Sequence, residues 1–141
     1  MASIDTGRVV IGGLLAGVVM NACDMFWNTV VLKDDMTGIA GKLGMDPATA
    51  AAFSTAVPWI VVDFVIGVAV VWNYAAIRPR FGPGPKTAVV SGVTLWLAVC
   101  SVFAGLTAIG VYTEQAFIKE SFLNLVTVLA ASLAGAYFYK E

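Results

Sequence analysis

Asn21, Asp24 and Asn28 fall inside a run that begins RVVIGGLLAGVVM and ends TVVL, apolar enough to lie in lipid. A carboxyl group in such a place can hold a proton, hold a cation or small ligand, or hydrogen-bond to another helix. Asp63 raises the same question in a second apolar run, and Asn124 joins it from a fourth. At about 1.5 Å of helix rise per residue, Asp24 lies about 12 Å below the outer end of its run and Asp63 about 9 Å below the outer end of its own. Asn124 falls near the outer start of the last run, and Cys100, Ser101 and Thr107 fall in the outer half of the third. Each helix is therefore expected to deliver a polar or soft group to one outer layer.

The eight basic residues, at positions 8, 33, 42, 78, 80, 86, 119 and 140, all flank the apolar runs. No cation is built into the interior. A central Asp costs roughly 2.5 to 3.5 kcal/mol on insertion scales, so a proton, a bound cation or water has to accompany these acids. Three readings follow. The acids and asparagines can act as interhelical adhesive; they can form a proton, cation or ligand site open to the outside; or two aspartates can serve an enzyme as acid and base. The third reading lacks support elsewhere in the chain. There is no histidine, no nucleophile with a base beside it, and FGPGPK is too rich in proline to cradle phosphate with backbone N–H groups. Cys23 and Cys100 with Met20 or Met25 would suit Cu(I), but as packing residues they need no metal, and no metal or cofactor is expected.

Positions 13, 17, 21, 24 and 28 step by four, four, three and four, which puts Gly13, Gly17, Asn21, Asp24 and Asn28 on one face of a helix. Gly13 and Gly17 form a G-x-x-x-G, which lets a second helix approach closely. The face that carries Asp24 is thus predicted to pack against protein.

The elements behind this layer follow from composition. Of 141 residues, 60% are hydrophobic and 12% charged, against about 25% charged in soluble domains. Mean hydropathy is +0.88. Residues 1–141 read as a single domain with spans at about 8–32, 57–77, 88–112 and 119–139, each close to the 20 residues a crossing needs. The expected fold class is an all-α integral membrane protein: an up-down four-helix transmembrane bundle with a partly helical extracytoplasmic segment between helices 1 and 2. In that segment Asp46 and Pro47 make a helix start, residues 36–43 suit a short interfacial helix, and ATAAAFSTAV continues toward a kink at Pro58. It reads as an ordered cap, or more sharply as a lid. The start of the chain also has the outline of a lipoprotein signal peptide, although Met20 and Asn21 fit the cleavage site poorly.

The stretch 78–86 contains Arg78, Arg80 and Lys86 with no acid, while the other two connections mix signs. Basic residues favour the cytoplasmic side, so this loop and both termini are expected there, with Arg8 and Lys140 in agreement. Trp59 and Tyr112 would mark the outer interface; Trp72, Tyr74, Tyr137 and Tyr139 would mark the inner one. Arg78, Arg80 and Lys86 would contact lipid head groups, and the prolines of the loop would stop the second helix. A net charge of -1 with scattered basic residues excludes a nucleic-acid-binding field.

The loop YAAIRPRFGPGPKTA, an Asn or acid in the first span and the ending LAGAYFYKE resemble a family of small four-span bacterial membrane proteins without an assigned activity. The resemblance covers most of the chain and implies fold and a bacterial inner membrane, with no residue role attached. The expectation for function is a non-enzymatic membrane module, self-associating or accessory to an unknown membrane partner. The alternative is a small transporter or binding protein for a proton, cation or small ligand, using Asn21, Asp24, Asn28, Asp63 and Asn124.

Overall fold

A computed structural model describes residues 4–139. Lys140, one of the flanking cations, lies outside them. The described residues are helical throughout, with no strand: α1 (Thr6–Phe26), a π-helical turn (Trp27–Val31), α2 (Lys33–Lys42), α3 (Pro47–Ala51), α4 (Phe53–Phe81), α5 (Pro85–Ala108) and α6 (Glu114–Phe138). Four helical stretches are long and apolar enough to cross a membrane: Thr6–Val31, Phe53–Phe81, Pro85–Ala108 and Glu114–Phe138. In lipid, a helix is the one open form that satisfies its own backbone, which is why uniformly apolar runs adopt it.

The boundaries depart from the sequence expectation at caps. Asp5 accepts from Arg8 N–H at 3.1 Å and starts α1 two residues early. Thr113 accepts from Ala116 N–H at 3.1 Å and starts α6 at Glu114, ahead of the expected start at 119. The prolines do not stop α4. Pro79 lies in its last turn, and the helix ends at Gly82, whose φ of +83° reverses the chain. Pro58 likewise lies inside α4; the break falls earlier, at extended Ala52 between α3 and α4. Asp46 caps α3 as expected, accepting from Ala48 and Thr49 N–H at 3.0 Å each.

α1 packs against α4 and α6, and α5 packs against α4 and α6. The α4–α5 loop, the start of α1 and the end of α6 share one end of the bundle, where Asp5 N–H donates to the Tyr139 hydroxyl at 3.2 Å and Gly84 N–H to the Tyr74 hydroxyl at 3.2 Å. The other end carries α2, α3 and the α5–α6 turn. Lys42 Nζ reaches Gly110 O at 3.1 Å, and Lys119 pairs with Asp35 at 2.9 Å. We call these the loop end and the cap end.

The seam between α1 and α4 is backbone on backbone. A Cβ on Gly13 would stand 2.6 Å from Val68 Cα, one on Gly17 2.9 Å from Phe64 Cα, and one on Gly67 2.5 Å from Gly13 O. Gly12 and Gly135 bring α1 as close to α6, with 2.8 Å from a Gly12 Cβ to Gly135 O. Around these contacts Val9, Ala16, Met20, Val70, Val71, Tyr74, Val128 and Ala131 form the core. Tyr74 and Tyr139, predicted at the interface, are buried in it edge to face, 6.0 Å between ring centroids. Small polar residues join the helices of the loop half: Ser91 donates to Val70 O at 2.7 Å, Asn73 to Ser91 at 3.1 Å, and Ser132 to Ala88 O at 2.7 Å.

Gly67→Ala is expected to cost about 1 to 3 kcal/mol by overpacking the seam. Gly105→Ala, a helical glycine with open space around it, should be neutral or stabilising. Chemical unfolding of the two variants in detergent, followed by circular dichroism, checks the contrast; equal stabilities would contradict the seam.

Candidate functional site

The G-x-x-x-G sets the register that leads to the site. Gly13 meets Val68, Gly17 meets Phe64, and the Asn21 amide donates to Ile60 O at 3.4 Å. Each step moves four residues up α1 and four down α4, so the two helices run antiparallel toward the cap end. Asn21 also donates to Gly17 O in its own helix at 2.9 Å, which fixes its amide in the seam.

Beyond Asn21, α1 changes winding. Leu32 N–H donates to Trp27 O at 2.8 Å across a π-helical turn, so the side chains that follow are rotated away from an α-helical phase. Two consequences are visible. Trp27 turns onto α6, where its Nε1–H donates to the Thr127 hydroxyl at 3.0 Å. Asn28, predicted to lie on the polar face, is instead exposed and donates to Asp24 O at 2.8 Å. Thr29 does the same for Met25 O at 2.6 Å. These side chains cover carbonyls along the widened turn and leave the layer itself to others.

Asp24 is half-buried on α1 and Asp63 is 8% exposed on α4, and the two side chains are near enough to interact. A hydrogen bond between two carboxyl groups needs one proton on the pair. The fully buried Thr127 hydroxyl accepts from Trp27 and stands on α6 near both Asp24 and Cys23.

α6 brings two further groups. Glu120 stands in its second turn, near enough to Asp24 and Asp35 for charge to matter, and its Oε2 is buried without a donor. Asn124, one turn on and 8% exposed, has a buried Oδ1 without a donor as well. Glu120, Asn124 and Thr127 are spaced by four and three, hence share a face of α6. The result is a polar layer from three helices, Asp24, Asp63, Glu120 and Asn124, in which Glu120 Oε2, Asn124 Oδ1 and the adjoining Ser121 Oγ are buried without a partner. Among the described residues no three Cys, Asp or Glu side chains are gathered as a metal-binding set.

The layer differs from the expected one in membership. Asn21, Asp24, Asp63 and Asn124 converge on the α1–α4–α6 contacts. The polar groups of the third span satisfy their own helix: Ser101 is exposed and donates to Leu97 O, Thr107 donates to Phe103 O, Cys100 is half-buried, and the buried residues of α5 are Thr87, Ala88, Ser91 and Gly92 near the loop end. Glu120, Thr127 and Trp27 were missed. Glu120 read as a span flank beside Lys119; the signal that could have placed it was Thr113 as a helix cap three residues before Ala116.

The α5–α6 turn lies beside Glu120. Tyr112 stacks on Phe103, 5.5 Å between centroids, and burial, reinforced by the Glu120 charge, pushes its phenol from the ordinary 10 up to about 12. The folded state holds that proton more tightly, so the contribution to stability is complete below pH 10 and is lost as pH rises to about 12. Tyr112→Phe should flatten the fall of thermal stability over this alkaline range without altering stability at neutral pH. Melting curves of both proteins across the range read the difference; parallel curves would refute it.

No family model, curated protein or solved structure matches this chain, so the site is interpreted from its own geometry.

Proposed function

We propose that this chain is a non-enzymatic four-span membrane protein that holds and releases a proton at the layer formed by Asp24, Asp63 and Glu120. The observation that carries this reading is the gathering of acids with unmet acceptors: Glu120 Oε2 and Asn124 Oδ1 find no partner, and Asp24 and Asp63 interact across α1 and α4. A proton meets that need without the ligand set that a metal ion requires. Intramembrane acids facing a bundle interior are by default proton or ion sites.

The layer lies in the half of the bundle nearer the cap end, which we assign to the outside of a bacterial plasma membrane. Arg78, Arg80 and Lys86 at the loop end support a cytoplasmic loop and cytoplasmic termini. In a background without Cys23 and Cys100, Thr49→Cys on exposed α3 should react with an impermeant maleimide on intact cells and Arg80→Cys should not. The reverse labelling would invert the protein.

A second reading is a packing module, self-associating or accessory, in which the same groups are interhelical adhesive. The glycine seams favour it, since they hold the three helices too tightly for one to slide. Infrared spectra in lipid separate the two. A protonated-carboxyl C=O band that vanishes in the Asp24→Asn, Asp63→Asn double variant, and shifts within seconds in D2O, is the expected result for a proton site. A band that resists exchange for hours supports adhesive, and no band at neutral pH overturns the proton reading.

A further inference from the structure

The segment between α1 and α4 lies across the cap end of the bundle. α1 and α5 each pack on α4 and α6, and α4 and α6 touch each other, so α1 and α5 stand at opposite corners. α2 leaves the π-helical turn at the end of α1, and from its last residue Lys42 Nζ donates to Gly110 O at 3.1 Å and to Val111 O at 3.5 Å, in the turn that follows α5. Its 10 residues, about 15 Å of helix, thus run from one corner to the other. On the way Asp35 meets Lys119 of α6 at 2.9 Å, and α3 then brings the chain back to α4. α2 therefore stands on the cap side of the carboxyl layer, with Glu120, the neighbour of Lys119, close to both Asp35 and Asp24.

What holds this segment differs from what holds the long helices. No residue of α2 or α3 is buried. One side of α2, at Asp35, Met36, Ile39 and Ala40, is half-buried, while Thr37, Gly38 and Gly41 on the other side are exposed. With so little apolar contact, the two lysine ties are the main attachment of α2 to the far side of the bundle, and both are open to water. The joints of the segment with α1 and α4 are non-helical. At one end is Leu32, 1% exposed and so an anchored pivot, and at the other is extended Ala52.

We propose that α2 and α3 form a lid on the carboxyl layer, latched by Lys42 on the α5–α6 turn and by Lys119 on Asp35, and that swinging it about Leu32 and Ala52 admits water from the cap end. The long helices, fixed to one another by their glycine seams, stay in place. As a control on proton exchange the lid rests on the proton reading; as a moving cover it is tested apart from it.

The test uses the full chain in lipid nanodiscs, with Cys23→Ser and Cys100→Ser removing the native thiols and Asn124→Cys placing one in the layer. The probe is a charged methanethiosulfonate that does not cross lipid, and its rate of reaction is the readout. Lys42→Gln with Lys119→Gln should raise that rate about tenfold, while Lys33→Gln, on an exposed lysine of α2 that takes no part in the latch, should leave it unchanged. Lys119→Asp, which sets like charges together, should also raise it, and adding Asp35→Lys should bring it back toward the starting rate. Equal rates in all variants, an equal rise from Lys33→Gln, or no recovery in the reversed pair would each overturn the lid. In chains that keep Asn124, the deuterium shift of the protonated-carboxyl band should quicken with the same latch variants. Absence of that band refutes the proton reading alone, and the thiol rates still decide the lid.

Discussion

The contact on which the rest of this structure depends is the approach of α1 and α4 at Gly13, Gly17 and Gly67, where backbone meets backbone with no side chain between. For apolar helices of this kind in lipid, the lipid supplies no hydrophobic drive to associate, and dispersion over closely fitted surfaces would supply it. A seam this tight has one register. It places Asn21 against the Ile60 carbonyl and directs Asp24 and Asp63 toward each other farther along. A wider seam would let each acid turn to water or to its own backbone, and the layer would not form.

The two halves of the bundle solve the polar problem differently. In the loop half, hydroxyls and one amide donate directly to carbonyls and side chains of neighbouring helices, as Ser91 and Ser132 do, and this balance leaves a closed core. In the cap half the excess runs the other way, with carboxyl and amide oxygens in buried positions and Thr127 accepting from Trp27. Desolvated acceptors without donors are costly in a low-dielectric interior. The tight loop half stabilises a cap half that is less satisfied, an arrangement common to proteins that concentrate strain where they act.

Much of this was legible in the sequence, because it depended on composition and helical phase. Four apolar runs gave four helices, and the four-residue spacing of Gly13, Gly17 and Asn21 gave the packing face. Legibility ended where phase changed or where a cap overrode hydropathy. The π-helical turn at Trp27–Val31 has no signature in a pattern of apolar residues, so Asn28 was assigned to a face it does not occupy. Thr113 as a cap starts α6 at Glu114 and so puts Glu120 in the second turn, not at the expected start of the span. α5 was credited with Ser101 and Thr107 because they lie at the right depth; depth does not specify azimuth, and both satisfy their own helix.

The hydrogen bond from Asp5 N–H to the Tyr139 hydroxyl has a topological meaning. The first and last helices are neighbours, and their ends are joined at one corner of the bundle, so the four long helices form a ring whose order of contacts does not depend on where the chain is cut. Linking the two ends would close a short loop at small entropic cost, and new termini could then be opened in the cap segment around Leu43 to Asp46. Chain order in this fold is therefore a matter of synthesis and insertion; the packed ring itself is indifferent to it.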